Sequence, residues 1–156
     1  MTLPHIQFHI APEFAAEIDE AALAAALRHA LVAEGQPNDS ALSIVIVDDP
    51  TIAAMHAQYR NEPGPTDVLT FPYEDVGLEA EMGSYLGDVI IGYEQAARQA
   101  AELGHSTQEE LTLIVLHGFL HLLGHDDEEP SARHVMWQRQ SALLEAVGLA
   151  HIAPAE

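Results

Sequence analysis

The sequence predicts an α+β fold in which a single small mixed β-sheet of about four strands is packed with about five helices. Two observations predict it. Short β-branched runs of strand length alternate with segments of helical periodicity up to residue 103, and only helical segments follow. No repeat or low-complexity linker divides the 156 residues. We therefore expect a single domain over residues 1–156, which would bury roughly two-thirds of its unfolded surface.

Four segments have the composition and length of β-strands. The clearest is the apolar, β-branched run ALSIVIV, which is stopped by the turn-forming triplet Asp48-Asp49-Pro50. The run LGDVII is similar, the first segment alternates only weakly, and a short third segment is closed by Pro72. The predicted strands are residues 5–10, 41–47, 67–71 and 86–91. The acidic segment 73–84 is predicted to be a surface loop.

Five segments have helical periodicity together with signals for their ends. Pro50 suits the first turn of the second helix, where its missing N–H is not needed. Ser106 and Glu109 form a capping box that opens the fourth helix, and Gly124 ends it. This fourth helix is apolar on nearly every side, which is typical of a core helix. The predicted helices are residues 19–34, 50–60, 94–103, 107–123 and 131–147.

The composition limits the chemistry and the partners of the chain. Because cysteine is absent, disulfides and thiolate metal sites are excluded, and any metal must be bound by imidazole and carboxylate. The first residues lack the features of a signal peptide and no segment is long enough to span a membrane, so we expect a cytoplasmic protein without a membrane partner. Five arginines, no lysine and a formal charge of −20 argue against non-specific nucleic-acid binding, and we expect no DNA partner.

Two histidines on the core helix predict a metal site. His117 and His121 are four residues apart, so both imidazoles project from one helix face about one turn apart. Gly124 then permits a sharp turn, after which Asp127 can return to the same point. The alternative is a pair of core histidines without metal, but the aliphatic neighbours would leave both imidazoles without hydrogen-bond partners. The pattern therefore predicts one transition-metal ion, zinc, bound by His117, His121 and a third ligand from the turn, Asp127.

A metallopeptidase is a less favoured alternative. In the zinc peptidases with two histidines on a helix, glutamate directly follows the first histidine and acts as a general base. Gly118 occupies that position here. A peptidase function would therefore lack its proton-transfer group.

Together with the histidine motif HGFLHLLG, three further blocks carry a resemblance to a known family. They are LSIVIVDD at residues 42–49, YRNEPGPTDVLTFP at residues 59–72 and LGDVIIGYEQAARQA at residues 86–100. The chain resembles the YbeY family of bacterial endoribonucleases, the rRNA maturation factors. The resemblance implies a zincin-like fold and a single-strand-specific, metal-dependent endoribonuclease acting in 16S rRNA 3′-end maturation and ribosome quality control. It also implies rRNA of the small ribosomal subunit as substrate and a ribosomal protein or GTPase as partner.

The sequence departs from the family at the third metal ligand. The family motif usually ends in GYDH, whereas this chain has Gly124-His125-Asp126-Asp127, so that Asp127 occupies the ligand position. Two histidines and a carboxylate suit catalytic zinc and also non-haem iron. We therefore expect one Zn²⁺ per chain, with another divalent transition metal as the alternative. His125 is an alternative third ligand if the turn after Gly124 is tighter than in the family.

The resemblance also aligns Arg60 with an arginine that the family places in the metal cleft. A guanidinium can bridge two phosphate oxygens and stabilise the charge that grows in a phosphoryl transition state, so Arg60 is the predicted catalytic residue. The alternative is that Arg60 only neutralises the dipole at a helix C-terminus. Asp67, in the same motif block, is predicted to position a turn or a helix and not to act in catalysis. A non-catalytic ribosome-assembly factor with a structural metal remains a further alternative for the whole chain.

Overall fold

The structure is a computed structural model that describes residues 4–61, 64, 66–73 and 84–154. Within these ranges the chain forms four strands and five α-helices, and the predicted α+β fold is confirmed. The strands are β1 (His5–Ile10), β2 (Ser40–Val47), β3 (Val68–Pro72) and β4 (Ser84–Gly92). The helices are α1 (Glu20–Ala33), α2 (Asp49–Arg60), α3 (Tyr93–Leu103), α4 (Thr107–Leu122) and α5 (Pro130–Ala146). Apart from its two end residues, the predicted acidic loop at residues 73–84 lies outside the described residues.

The four strands form one mixed sheet in the order β1-β2-β4-β3. Strands β1, β2 and β4 are parallel, and β3 runs antiparallel to β4 at the edge. The central strand β2 is buried over most of its length, with Leu42, Ile44 and Ile46 inaccessible to solvent. Burial on both faces explains why its sequence is a continuous apolar run instead of an alternating one.

Helix α4 is the central helix of the core and fixes the position of the site. It begins with the predicted capping box, in which Ser106 and Glu109 each accept a backbone N–H from the other. It packs against α1, α3, α5, β3 and β4. A Cβ atom at Gly118 would lie 2.7 Å from Cγ1 of Val89, so the absence of a side chain lets α4 approach β4 closely. Neither α4 nor any other helix in the described ranges is long and apolar enough to cross a membrane.

Candidate metal centre

The structure brings together the three residues that the sequence proposed as metal ligands. The Nε2 atoms of His117 and His121 are 3.1 Å apart, and Oδ2 of Asp127 lies 3.7 Å from each of them. Among the described residues, these three form a group whose ligand atoms all lie within 4.8 Å of one another. Two imidazoles and a carboxylate at this separation can converge on one ion.

Hydrogen bonds on the far side of each ring determine which nitrogen faces the cluster with a lone pair. Nδ1 of His121 donates to the backbone carbonyl of His125 at 3.0 Å, so its proton is on Nδ1. Nδ1 of His117 lies 2.7 Å from Oε1 of Gln140, which selects the same tautomer. Two Nε2 lone pairs then face each other beside a carboxylate oxygen. The two lone pairs and the carboxylate oxygen repel one another unless a cation lies between them. Together they suit a metal that accepts nitrogen and oxygen ligands.

The protonation state of His121 is consistent with metal binding. Burial lowers its pKa, because a charged imidazole is poorly solvated there, and the neighbouring His117 lowers it further. The nearby Asp127 carboxylate acts in the opposite direction without reversing the shift. His121 is therefore neutral near neutral pH, and neutral imidazole is the form that binds a metal.

The turn after α4 explains how Asp127 reaches the histidines. Gly124 has a φ of 99°, a left-handed conformation that suits glycine, and the backbone N–H of His125 returns to the carbonyl of Leu120 at 3.1 Å. The carboxylate of Asp126 then accepts a backbone N–H two residues further on, at 2.9 Å. These bonds reverse the chain within a few residues and bring Asp127 to the helix face that carries the histidine pair.

The same turn directs the ring of His125 elsewhere. Its Nε2 lies 4.0 Å from Oε1 of Glu34, near the end of α1, and Glu34 is also bound by Arg139. The contribution of His125 to the cluster is its backbone carbonyl, which accepts the Nδ1 proton of His121. Of the two alternatives for the third ligand, the structure thus brings Asp127, and not the ring of His125, to the histidine pair.

Sequence reasoning missed Gln140, which orients His117. Gln140 lies on α5 and is fully buried, on the stripe that also buries Met136, Leu143 and Leu144. A polar residue on an apolar helix stripe needs a buried partner, and this was the available signal. The partner itself was not predictable, because His117 lies 23 residues away on another helix.

A cleft of about 270 Å³ extends from the cluster along α4. His117 and Asp127 line it together with Glu110 and with Trp137 and Gln140 of α5. The Trp137 ring is 5.8 Å from the His117 ring and is tilted by 37° from its plane. The candidate metal site is therefore open to a pocket large enough to hold part of a substrate.

Arg60 lies at the neighbouring edge of the sheet and is exposed. Its Nη2 donates to the backbone carbonyl of Thr70 at 3.0 Å, and its guanidinium lies over the Phe71 ring at 5.6 Å from the ring centre. It is not among the described residues that line the cleft, whereas Asp67 is. Asp67 accepts a hydrogen bond from Gln99 of α3 at 3.3 Å, which fixes the start of β3.

Comparisons with known proteins agree with this architecture. Residues 9–148 match the family model described as Endoribonuclease YbeY. Relatives with that name include one from Thermobifida fusca, 42% identical and covering 86% of this chain and 90% of its own length. Another, from Beutenbergia cavernae, is 44% identical and covers 81% and 87%. The solution structure of TM1509 from Thermotoga maritima has a TM-score of 0.64 at 26% identity, covering 91% of this chain and 88% of its own. Because the family match extends through both histidines and the turn that follows them, the chain belongs to the YbeY family of endoribonucleases.

Proposed function

We propose that this chain is a metal-dependent endoribonuclease that cuts single-stranded RNA in 16S rRNA 3′-end maturation and ribosome quality control. The observation that carries the proposal is the convergence of His117, His121 and Asp127 beside an open cleft. Family membership supports RNA as the substrate, because the relatives are named as endoribonucleases.

The proposed cofactor is one zinc ion per chain, bound by His117, His121 and Asp127. When bound there, zinc supplies Lewis-acid chemistry, which polarises a phosphoryl oxygen and makes water a stronger nucleophile near neutral pH. The exposed fractions of the three side chains are 19%, 23% and 39%, so the site is accessible from the cleft. Structural zinc sites are usually closed by four protein ligands, whereas three ligands and an open side are typical of catalytic sites. This accessibility favours catalysis over a purely structural metal.

Arg60 is the proposed catalytic cation. One of its five N–H donors binds the Thr70 carbonyl, which leaves others available to a phosphate oxygen from the exposed face. A guanidinium that binds two phosphate oxygens stabilises the negative charge that develops during phosphodiester cleavage. The hydrogen bond to Thr70 holds the Arg60 side chain against β3, and the Thr70 side chain of that strand packs against α4 near Gly118.

A peptidase function is less well supported. The catalytic glutamate of helical zinc peptidases would have to occupy position 118, where even a Cβ atom would lie 2.7 Å from Val89. A larger side chain there would clash with Val89 of β4. Packing against β4 therefore explains why this position holds glycine.

The proposed partner is a basic ribosomal protein or an RNA-binding GTPase of the small ribosomal subunit, and the proposed location is the cytoplasm. The formal charge of −20 supports a basic protein partner, because complementary charge speeds association and suppresses wrong partners. Such a partner would bring the RNA to a surface that otherwise repels it.

The test combines elemental analysis of purified protein with cleavage of a single-stranded rRNA 3′ fragment, with and without chelator. We expect about one zinc per chain, cleavage that chelator abolishes, and recovery after zinc is added back. Asp127→Ala should lose the metal, whereas His125→Ala should keep it. The reverse result would make His125 the third ligand, and cleavage by metal-free protein would contradict the proposed mechanism.

The same samples separate catalysis from a structural metal. Thermal unfolding of the chelated protein should remain cooperative, because the hydrophobic core is built from residues other than the three proposed ligands. Loss of the folded state on metal removal would instead favour a structural site, since such sites contribute folding free energy directly.

A further inference from the structure

The cleft beside the metal cluster continues well beyond it. Along α4 it is lined by His117, Ile114, Leu113 and Glu110, which occupy one face of the helix. Seven residues of α-helix correspond to about 10 Å, which is comparable to the length of a nucleotide from its phosphate to the far edge of its base. A phosphate at the metal would therefore leave the attached nucleotide room to extend toward Glu110.

The walls of this extension suit a flat aromatic ring. Trp137 of α5 lines one side, and Leu113 and Ile114 of α4 line another. Single-stranded RNA is commonly bound by stacking unpaired bases on aromatic side chains, which every base can do through its π-face. The cleft therefore has the surface chemistry of a nucleobase pocket next to a phosphate site.

The far end of the cleft offers hydrogen-bond acceptors and no cation. Nε2 of Gln99 donates to Oε2 of Glu110 at 2.9 Å and to Oδ2 of Asp67 at 3.3 Å, which joins the two carboxylates. Oε1 of Glu110 is 2.5 Å from Nε2 of His105, so both of its oxygens are engaged. The other carboxylate oxygen of Asp67, Oδ1, has no hydrogen-bond partner within the described part of the chain. The described residues that line the cleft include no lysine or arginine, so the far end of the cleft is unsuitable for a second phosphate.

The α5 wall offers the complementary groups. Nε1 of Trp137 and Nε2 of Gln140 are N–H donors buried without a hydrogen-bond partner in the described residues. Both residues line the cleft, and Gln140 is fully buried. Buried donors without partners are unfavourable, and a carbonyl group of a bound ligand would supply one.

We propose that this cleft is a nucleobase subsite that selects cytosine, through its exocyclic amino group, over uracil. This inference rests on the proposed function and specifies its substrate. The amino group of cytosine donates to the Asp67 carboxylate, its ring stacks on Trp137, and its carbonyl oxygen accepts from Nε2 of Gln140. Uracil presents a carbonyl oxygen where cytosine has its amino group, so two acceptors would meet with no proton between them.

The test uses the fluorescence of Trp137, which is the single tryptophan of the chain. Metal-loaded protein is titrated with cytidine 5′-monophosphate and with uridine 5′-monophosphate, and a free tryptophan derivative corrects for absorption by the nucleotides. We expect saturable quenching, with a Kd for the cytidine nucleotide at least about tenfold lower. Equal affinities, or no saturable quenching by either nucleotide, would overturn the proposal. This comparison needs no variant and therefore does not depend on the folding of one.

A conservative substitution then identifies the residue that discriminates. In Asp67→Asn the amide oxygen can still accept from Gln99, while the amide NH₂ can donate to the uracil carbonyl, so the preference for cytidine should disappear or reverse. Glu102→Gln, an exposed position on α3, removes the same charge and should keep the wild-type preference. A preference unchanged in Asp67→Asn would exclude Asp67 as the discriminating group.

Cleavage assays separate this proposal from the proposed function. Two oligonucleotides are compared that are identical except for one base, cytosine or uracil, next to one phosphodiester linkage. That linkage should be cut faster in the oligonucleotide with cytosine. If the nucleotides bind with the expected preference and no RNA is cut, the subsite stands and the nuclease proposal fails. If RNA is cut equally at both sites and the two nucleotides bind alike, the nuclease proposal stands and the subsite is overturned.

Discussion

The two sides of the candidate site are held in different ways. On the α4–α5 side, His117 and His121 project from a buried helix, and each Nδ1 is fixed by a hydrogen bond. On the α2–β3 side, Arg60 is exposed and is held by one hydrogen bond to a backbone carbonyl and by its position over a ring. The first side is part of the core, whereas the second lies on its surface.

This difference separates two kinds of effect. Packing and neighbouring hydrogen bonds hold the histidine side chains in an arrangement that suits a metal, so changes there should alter metal content. An exposed side chain with few contacts contributes little to folding, so its loss should alter substrate handling and leave the metal in place. Substitutions on the two sides should therefore differ both in the property they change and in the size of the effect.

The largest effect is expected from removing a histidine of the α4 pair. His121→Ala should reduce bound zinc to background and lower RNA cleavage by at least about a hundredfold, because a metal contributes several kcal/mol to transition-state stabilisation. Elemental analysis and single-turnover cleavage measure the two quantities. His151→Ala, at an exposed position away from the cluster, is the control and should keep both. A His121→Ala variant that retains stoichiometric metal would rule out His121 as a ligand.

On the exposed side, Arg60→Ala should lower cleavage by about a hundredfold, comparable to the loss of one donor that stabilises transition-state charge. Metal content and melting temperature should be nearly unchanged, because the lost contacts lie at the surface. Arg28→Ala, also exposed but on α1, should have no effect on cleavage. Loss of metal or of several degrees in melting temperature would show that Arg60 mainly holds β3 through Thr70.

A smaller effect on metal affinity is expected from changing Gln140, the hydrogen-bond partner of His117. Gln140→Leu removes the acceptor of the His117 Nδ1 proton, and the loss of such a partner typically weakens metal affinity by 10- to 100-fold, roughly. Gln140→Glu keeps an acceptor oxygen and should recover most of the affinity. Gln138→Leu, exposed on the same helix, is the control. Competition with a zinc-binding dye gives the zinc affinities. Equal affinities for all the variants would show that Gln140 does not contribute to zinc binding.

The features that the sequence could predict are those that depend on neighbouring residues. The start of α4 was predictable from the local capping signal at Ser106 and Glu109, and its buried character from its apolar composition. The histidine pair followed from helical spacing alone, because residues four apart share a face. Gly124 indicated the turn. These features depend on residues only a few positions apart. Their relative placement follows from the regular geometry of the helix and can be predicted without the tertiary structure.

Contacts between distant segments could not be predicted in this way. Which of His125 and Asp127 lies beside the histidine pair depends on Glu34, which lies near the His125 ring at the end of α1, and on the conformation of Gly124. The bridge formed by Gln99 depends on how α3 packs against α4 and β3. Such contacts require the tertiary arrangement, and a lone glutamine in a helix gives no signal of its partner.

The smallest effect concerns the binding of free RNA, which should be weak and depend little on salt. Of the five arginines, Arg98 is paired with Asp49 and Arg139 with Glu34, which leaves at most three for phosphates. Each contact with single-stranded nucleic acid contributes about −0.7 to the slope of log affinity against log salt, so the slope should not exceed about −2.

Repulsion reinforces this expectation. The chain carries a formal charge of −20, and at physiological ionic strength its repulsion of phosphates acts over roughly 8–10 Å. Titration of the isolated protein with a single-stranded rRNA 3′ fragment at about 0.15 M salt measures both affinity and slope. Sub-micromolar binding with a slope steeper than about −3 would require a basic groove and would contradict the need for a protein partner. Weak binding that tightens when a basic ribosomal protein is added would instead support delivery of the RNA by that partner, because the added protein supplies the phosphate contacts that the acidic surface lacks.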